Sequence, residues 1–167
     1  AVRGLTEPGD AVLIQTPVYY RFAASIERNG RKVVRNSLCC KDGKYVVDFD
    51  DFENKIRENN VKLFILCSPH NPVGRVWKRE ELIRMGEICR ACGVIVVSDE
   101  IHCDFTYAGY THHIFASLGE AFADHSVICT APSKTFNLAG LQISNIFIPN
   151  PEIRKSFVRA LSRTGYS

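Results

Sequence analysis

Short apolar runs that do not alternate with polar residues recur along this chain: AVLIQT (11–16), KLFILCS (62–68), VIVVS (94–98), SVICTA (126–131) and ISNIFI (143–148). A strand with one face in water alternates in polarity, so runs of this kind suit strands covered on both faces, as in a parallel sheet. They are rich in valine and isoleucine, which fit a pleated surface. KVVRNSL (32–38) is a weaker candidate.

Helical patterns lie between these runs. Asp50-x-x-Glu53 resembles a capping box and brings Phe49, Phe52 and Ile56 onto one face. Lys78 to Cys92 carries an apolar stripe at helical spacing and stops at Gly93, a residue type suited to the position after a helix. Asn150-Pro151 reads as an N-cap followed by proline at the first helical position, with Ile153, Phe157, Ala160 and Leu161 as the stripe. Residues 19–29 are also expected to be helical. Strands alternating with helices predict an α/β fold: a three-layer, open, mostly parallel sheet with helices on both faces. No repeat or Pro/Ser-rich linker marks an internal boundary.

The composition narrows the function classes. A net charge of +3 is too small to argue for nucleic acid, and the basic stretch from Arg28 to Arg35 is broken by apolar residues, as a solvated surface would be. No apolar run approaches the roughly 20 residues of a membrane span. AVRGLTEPGD lacks the basic-then-apolar pattern of a signal peptide, and the absence of an initiator Met leads us to expect a chain that begins inside a longer protein. The 7 cysteines are irregularly spaced, which fits a reduced, cytoplasmic setting better than a disulfide framework. Cys89-x-x-Cys92 has no second ligand pair at comparable spacing and continues the stripe of Leu82 and Met85, so it reads as a buried helix face.

In an open α/β sheet, ligands bind outside the carboxyl ends of the strands. After AVLIQT comes Thr16-Pro17-Val18-Tyr19-Tyr20, and after LFILC comes Ser68-Pro69-His70-Asn71-Pro72-Val73-Gly74. VIVVS is followed by Asp99-Glu100-Ile101-His102, and VICTA by Pro132-Ser133-Lys134-Thr135. An aromatic, an amide, an acid and a lysine thus meet on one rim. Each has a plain structural reading: Tyr19 as a helix opener, Asn71 to Gly74 as a turn, Asp99 as a cap and Lys134 as a surface charge. Their succession on neighbouring strand ends favours a shared purpose. The set matches what pyridoxal 5'-phosphate requires. A lysine amine carries the cofactor, an acid beside the pyridine nitrogen keeps that ring protonated as an electron sink, an aromatic face stacks on it, and an amide donates to its phenolic oxygen.

With SPHNPVG, VIVVSDEIH and SKTFNLAG in this order, the sequence resembles the fold-type I aminotransferase class I/II superfamily. TPVYY, SDEIH, HHIFASL and TAPSKTFNLAGLQ make it most similar to the C–S lyases of the cystathionine β-lyase, MalY/PatB type. The resemblance covers essentially the whole chain. It implies that Lys134 carries pyridoxal 5'-phosphate and moves the substrate α-proton. Asp99 would pair with the ring nitrogen, Asn71 with the phenolic oxygen, and Tyr19 would stack over the ring. His102 stands where many aminotransferases have a tyrosine that touches the same oxygen, with a purely structural histidine as the alternative. Thr130 and Ser133 are candidate phosphate contacts.

Two positions depart from the family pattern. Ala131 stands where relatives often have a phosphate-binding serine, and Gln142 where many have a phosphate-binding arginine. By the resemblance, residues 1–167 are part of the cofactor-binding large domain of a homodimeric enzyme. The phosphate loop, the substrate-carboxylate arginine and the small domain would lie outside them. The implied reaction is β-elimination from a cystathionine-like or cysteine-conjugate amino acid, giving pyruvate, ammonia and a thiol. Amino transfer to a 2-oxo acid is the alternative on the same scaffold. A metal-dependent hydrolase using Asp99, Glu100, His102 and His112 or His113 is disfavoured, because adjacent strand residues point apart. A Ser133–Lys134 nucleophile pair is disfavoured for the same reason. A non-catalytic binding module would have no use for Lys134.

Overall fold

The computed structural model describes residues 1–163. The apolar runs become the strands of a 6-stranded sheet, and helices cover both of its faces. In chain order the elements are α1 (Val2–Leu5), β1 (Ala11–Thr16), α2 (Arg21–Glu27), β2 (Lys32–Ser37), β3 (Cys39–Lys41), β4 (Lys44–Val46) and α3 (Phe49–Glu58). They continue with β5 (Leu63–Cys67), α4 (Arg79–Ala91), β6 (Ile95–Asp99), α5 (Glu120–Ala123), β7 (Ser126–Thr130), β8 (Asn145–Phe147) and α6 (Pro151–Ser162).

The sheet order is β2-β1-β5-β6-β7-β8, parallel through β7. Its central strands β1, β5, β6 and β7 expose none of their residues, and β5 is buried along its whole length. Alternate residues feed two separate cores, as the two-residue side-chain period of a strand requires. Leu13, Phe64, Leu66 and Val96 pack with Phe52 and Ile56 of α3 and with Leu82, Met85 and Cys89 of α4. Val12, Ile14, Ile65, Val97 and Val127 pack with Val2, with Ile26 of α2, and with the half-buried Ile153 and Phe157 of α6. Cys89 is buried and Cys92 packs against the same core; both are free thiols, as the helix reading of that pair expects.

The helix boundaries follow local chemistry. α4 ends before Gly93, whose φ of +68° is the left-handed conformation glycine tolerates. Asn150 caps α6 by accepting from the Glu152 and Ile153 backbone N–H groups, ahead of Pro151. The expected capping box at Asp50 is displaced: Asp48 is the N-cap of α3 and accepts from Asp51 N–H, while Asp50 lies inside the first turn and favours the helix dipole. α2 begins at Arg21, two residues later than expected, because residues 17–20 form the loop leaving β1.

Two strand assignments differ from the sequence expectation. ISNIFI forms β8, which runs antiparallel to β7 at the sheet edge with Asn145, Ile146 and Phe147 all exposed, rather than as a strand covered on both faces. The β3–β4 hairpin was not anticipated at all. Asp42 and Gly43 take φ of +51° and +74° in its turn, the pair of positive values that a tight two-residue hairpin turn demands.

Candidate active site

The sheet order determines where a crevice opens. From β1 the chain passes through α2 to β2 on one side, and from β5 it passes through α4 to β6 on the other. α2 and α4 lie on opposite faces, so the loops leaving β1 and β5 diverge at a topological switch point, the usual ligand position of an open α/β sheet. Those loops are the ones that carry Tyr19 and Asn71. They are joined across the switch point by the Tyr19 N–H, which donates to Asn71 O at 2.9 Å.

The parallel register places Cys67 opposite Asp99, and Asp99 opposite Cys129, so the ends of β5, β6 and β7 form one row. Asp99 continues the side of β6 marked by Ile95 and Val97. It is half-buried, and the only hydrogen bond to its carboxyl among the described residues comes from Ile101 N–H at 3.2 Å. Burial raises its pKa above the usual carboxylate range. The Ile101 N–H opposes that shift and the neighbouring Glu100 adds to it.

Glu100 turns away from Asp99. Its buried carboxylate accepts from Ser98 Oγ at 2.8 Å, from His112 Nε2 at 2.9 Å and from Phe115 N–H at 3.0 Å. These are the acid and histidine that a metal reading would use, but they are bound to each other as a structural anchor. No group of three or more His, Cys, Asp or Glu side chains able to hold a metal occurs among the described residues.

His102 follows in the turn after β6. Burial lowers its pKa, and the positive charge of Lys134 lowers it further. Lys134 itself is exposed, in the turn after β7. That turn is fastened to the one carrying His102 by Thr135 Oγ1, which donates to Asp104 Oδ2. Thr130 closes β7 and Ser133 lies just beyond it; both are half-buried. Gln142 has a left-handed backbone, φ +53°, and Ala131 offers no polar side chain. Tyr19 is 39% exposed and packs edge-on to Tyr20 and Phe22, with ring centroids 5.1 and 6.0 Å away.

Beside this rim lies an open cleft of about 1030 Å³ between the β3–β4 hairpin and the segment after His102. Asn71 and His102 lie on its wall with Tyr45, Phe105 and Tyr110; Tyr19, Asp99 and Lys134 do not line it. The residues that support the rim, His70, Cys67, Trp77 and Glu100, were not assigned supporting roles from sequence. The partners of Cys67, Trp77 and Glu100 lie within 15 residues in the chain, but His70 meets Pro17 across 53 residues, and no local pattern announces such a pairing.

Comparison with known proteins bears on the whole segment. The family model for aminotransferase class I and II matches residues 1–167. A cystathionine β-lyase, PatB of Bacillus subtilis, is 54% identical over 165 residues, covering 99% of this chain and 43% of its own length. The crystal structure of cystalysin from Treponema denticola, which contains a pyridoxal 5'-phosphate cofactor, superposes with a TM-score of 0.95 at 46% identity; 99% of this chain and 42% of that one are covered. A PLP-bound putative aminotransferase from Clostridium difficile 630 superposes with a TM-score of 0.96 at 41% identity, covering 99% and 43%. The chain thus spans less than half the length of these relatives.

Proposed function

We propose, from the premise that the chain belongs to the aminotransferase class I and II family, that it is part of a pyridoxal-phosphate C–S β-lyase. In this reading, residues 1–167 belong to the cofactor-binding large domain of a longer, homodimeric protein. The substrate is a cystathionine-like or cysteine-conjugate amino acid, and the products are pyruvate, ammonia and a thiol. The observation that carries the lyase reading is the 54% identity to PatB across 99% of the chain. The reading of the setting as cytoplasmic rests on the irregular spacing of the 7 cysteines, which does not suit a disulfide framework.

The residues present suit the cofactor. Asp99 is a carboxyl whose charged form is penalised by burial and by Glu100, with a single backbone N–H in compensation. A cationic ring nitrogen beside it would restore the charge, and the carboxylate would in turn hold that nitrogen protonated. Lys134 would carry the cofactor and move the α-proton of the substrate. Its own turn is held to that of His102 through Thr135 and Asp104. Asn71 would donate its amide to the phenolic oxygen, and Tyr19 would cover one face of the ring; the bond between their backbones keeps the two in fixed relation. His102, whose neutral form burial and the Lys134 charge favour, would offer a hydrogen bond toward the same oxygen. Thr130 and Ser133 are polar groups at the end of β7 suited to the phosphate, with further phosphate ligands supplied from outside residues 1–167. When bound, the cofactor supplies the electron sink for bond breaking next to the substrate α-carbon.

The test uses the full-length protein. Borohydride reduction followed by peptide mapping is expected to fix a pyridoxyl group on Lys134; a label elsewhere, or none in cofactor-replete protein, overturns the site. L-cystathionine is expected to yield pyruvate, ammonia and homocysteine with no added keto acid. Amino transfer is the second reading, favoured by the likeness to the putative aminotransferase. Strict dependence on a keto acid, with no pyruvate in its absence, would select it.

A further inference from the structure

His70 sits between Ser68-Pro69 and Asn71 and is 1% exposed, yet the chemistry above has no use for it. Its Nε2 lies 2.9 Å from Pro17 O. A carbonyl only accepts, so Nε2 carries the hydrogen and donates. The ring therefore joins the loop leaving β5 to the loop leaving β1, two residues before Tyr19. The second tie in the same place is the Tyr19 N–H to Asn71 O bond.

The histidine is itself braced on every side. Its backbone N–H donates to Arg75 O at 2.8 Å, and its carbonyl accepts from Gly74 N–H at 2.9 Å. Its ring stands edge-on to Trp77, with centroids 5.4 Å apart. Trp77 Nε1 donates to Cys67 O at 2.9 Å, and the Arg75 guanidinium lies 4.3 Å over the Trp77 ring. Cys67 Sγ accepts from Asn71 N–H at 3.4 Å. The loop that presents Asn71 is thus pinned to its own strand by Cys67 and Trp77, and to the neighbouring loop by His70.

We propose that His70 is a positioning residue, a neutral Nε2–H donor that clamps the two loops of the switch point and thereby sets Tyr19 and Asn71 for the cofactor ring. It touches neither the ring nor the substrate; it acts through Pro17 and the backbone on either side. The inference rests on the reading of Tyr19 and Asn71 given above. Burial, with a smaller contribution from the Arg75 charge, lowers the imidazole pKa to about 4, so the donor stays in one form through the neutral range. Among the described residues Nδ1 has no hydrogen-bond partner within normal distance, so the tie that the ring makes across the switch point is its bond to Pro17 O.

The experiment uses full-length protein and measures the cofactor dissociation constant by reconstitution of the apo form, with the visible circular dichroism of the bound cofactor as a second readout. His70→Phe keeps the edge contact with Trp77 and removes the donor. It is expected to raise the constant at least fivefold and to diminish the dichroic band. His70→Gln can place an amide N–H near the position of Nε2 and is expected to stay within fivefold of wild type with its band retained. A smaller effect in His70→Phe, or a loss beyond fivefold in His70→Gln, overturns the clamp. Should His70→Phe fail to fold, as judged by thermal unfolding, His70→Gln decides alone by the same limit. Tyr19→Ala and Asn71→Ala separate the two layers of the argument. If neither weakens cofactor binding, the reading of the site falls and the clamp with it. If they do and His70→Phe does not, only the clamp falls.

Discussion

Asp99 and His70 show how one strand-end environment acts in opposite senses on an acid and on a base. Burial raises the first and lowers the second, since it penalises whichever form is charged. For His70 the consequence for stability has a definite sign. Between its ordinary value of 6.5 and about 4 in the folded chain, the unfolded state binds a proton that the folded state refuses. Its contribution is complete above pH 6.5 and is lost as the pH falls through 4, amounting to about 3 kcal/mol. Urea unfolding of full-length protein between pH 7 and 4 is expected to show this loss, and His70→Gln to flatten the slope. For Asp99, the proposed pairing with a ring cation makes the charge essential. Asp99→Asn keeps the shape, and steady-state kinetics of the full-length enzyme are expected to show a loss of roughly two decades in turnover, on the order of 3 kcal/mol. Near-normal turnover would remove Asp99 from the mechanism. The types of these residues and their strand-end positions were legible in the sequence. The partner of His70 was not, because it lies 53 residues away, and the triple anchoring of Glu100 was not, because it depends on how the irregular segment through residues 112–115 folds back on the end of β6.

At the scale of elements, packing explains what periodicity alone left open. Gly86 is a buried glycine within α4. A Cβ there would lie 2.5 Å from two atoms of the Phe122 ring and 3.0 Å from Phe115, so the glycine lets α4 approach the segment between β6 and β7. Gly86→Ala is expected to cost about 1–3 kcal/mol through overpacking, even though alanine is the better helix former. Chemical denaturation checks it, and an unchanged midpoint would mean that Phe122 moves aside freely. Asn150→Ala removes two accepted N–H bonds at the start of α6 and is expected to cost about 1 kcal/mol in the same assay. The strands of the parallel sheet were readable because burial on both faces writes an unbroken apolar run. β8 carries a similar run yet lies exposed at the edge, where β7 pairs with it on one side alone. β3 and β4 are 3 residues each and carry almost no periodicity. Their Asp42-Gly43 turn was the available signal.

For the whole molecule, the surface around β8 is the main departure from an ordinary globular exterior. Phe136, Leu138, Leu141, Ile146 and Phe147 are exposed there, and Val158 and Leu161 of α6 are exposed as well. Exposed apolar side chains in this number favour association. Residues 1–167 expressed alone, with excess pyridoxal phosphate, are therefore expected to self-associate in sedimentation. They are also expected to turn over less than a tenth as fast as the full-length protein, because substrate positioning and water exclusion contribute decades of rate. Turnover within tenfold of full length would show that the remaining segments are dispensable.

What the sequence determined by itself was local: which runs are buried on both faces, where helices stop, and which residue types stand at the strand ends. Side-chain period, capping and turn chemistry operate over a few residues, so they are written in the order of the chain. The tertiary structure decided that β1 lies between β2 and β5, and this alone makes the Tyr19 and Asn71 loops neighbours at the switch point. It also decided that Glu100 faces His112 and Phe115 while Asp99 faces the rim. It seated the His70 ring against Pro17 as well. Strand order and long-range contacts depend on how distant surfaces close over one another, and no short stretch of sequence carries that information.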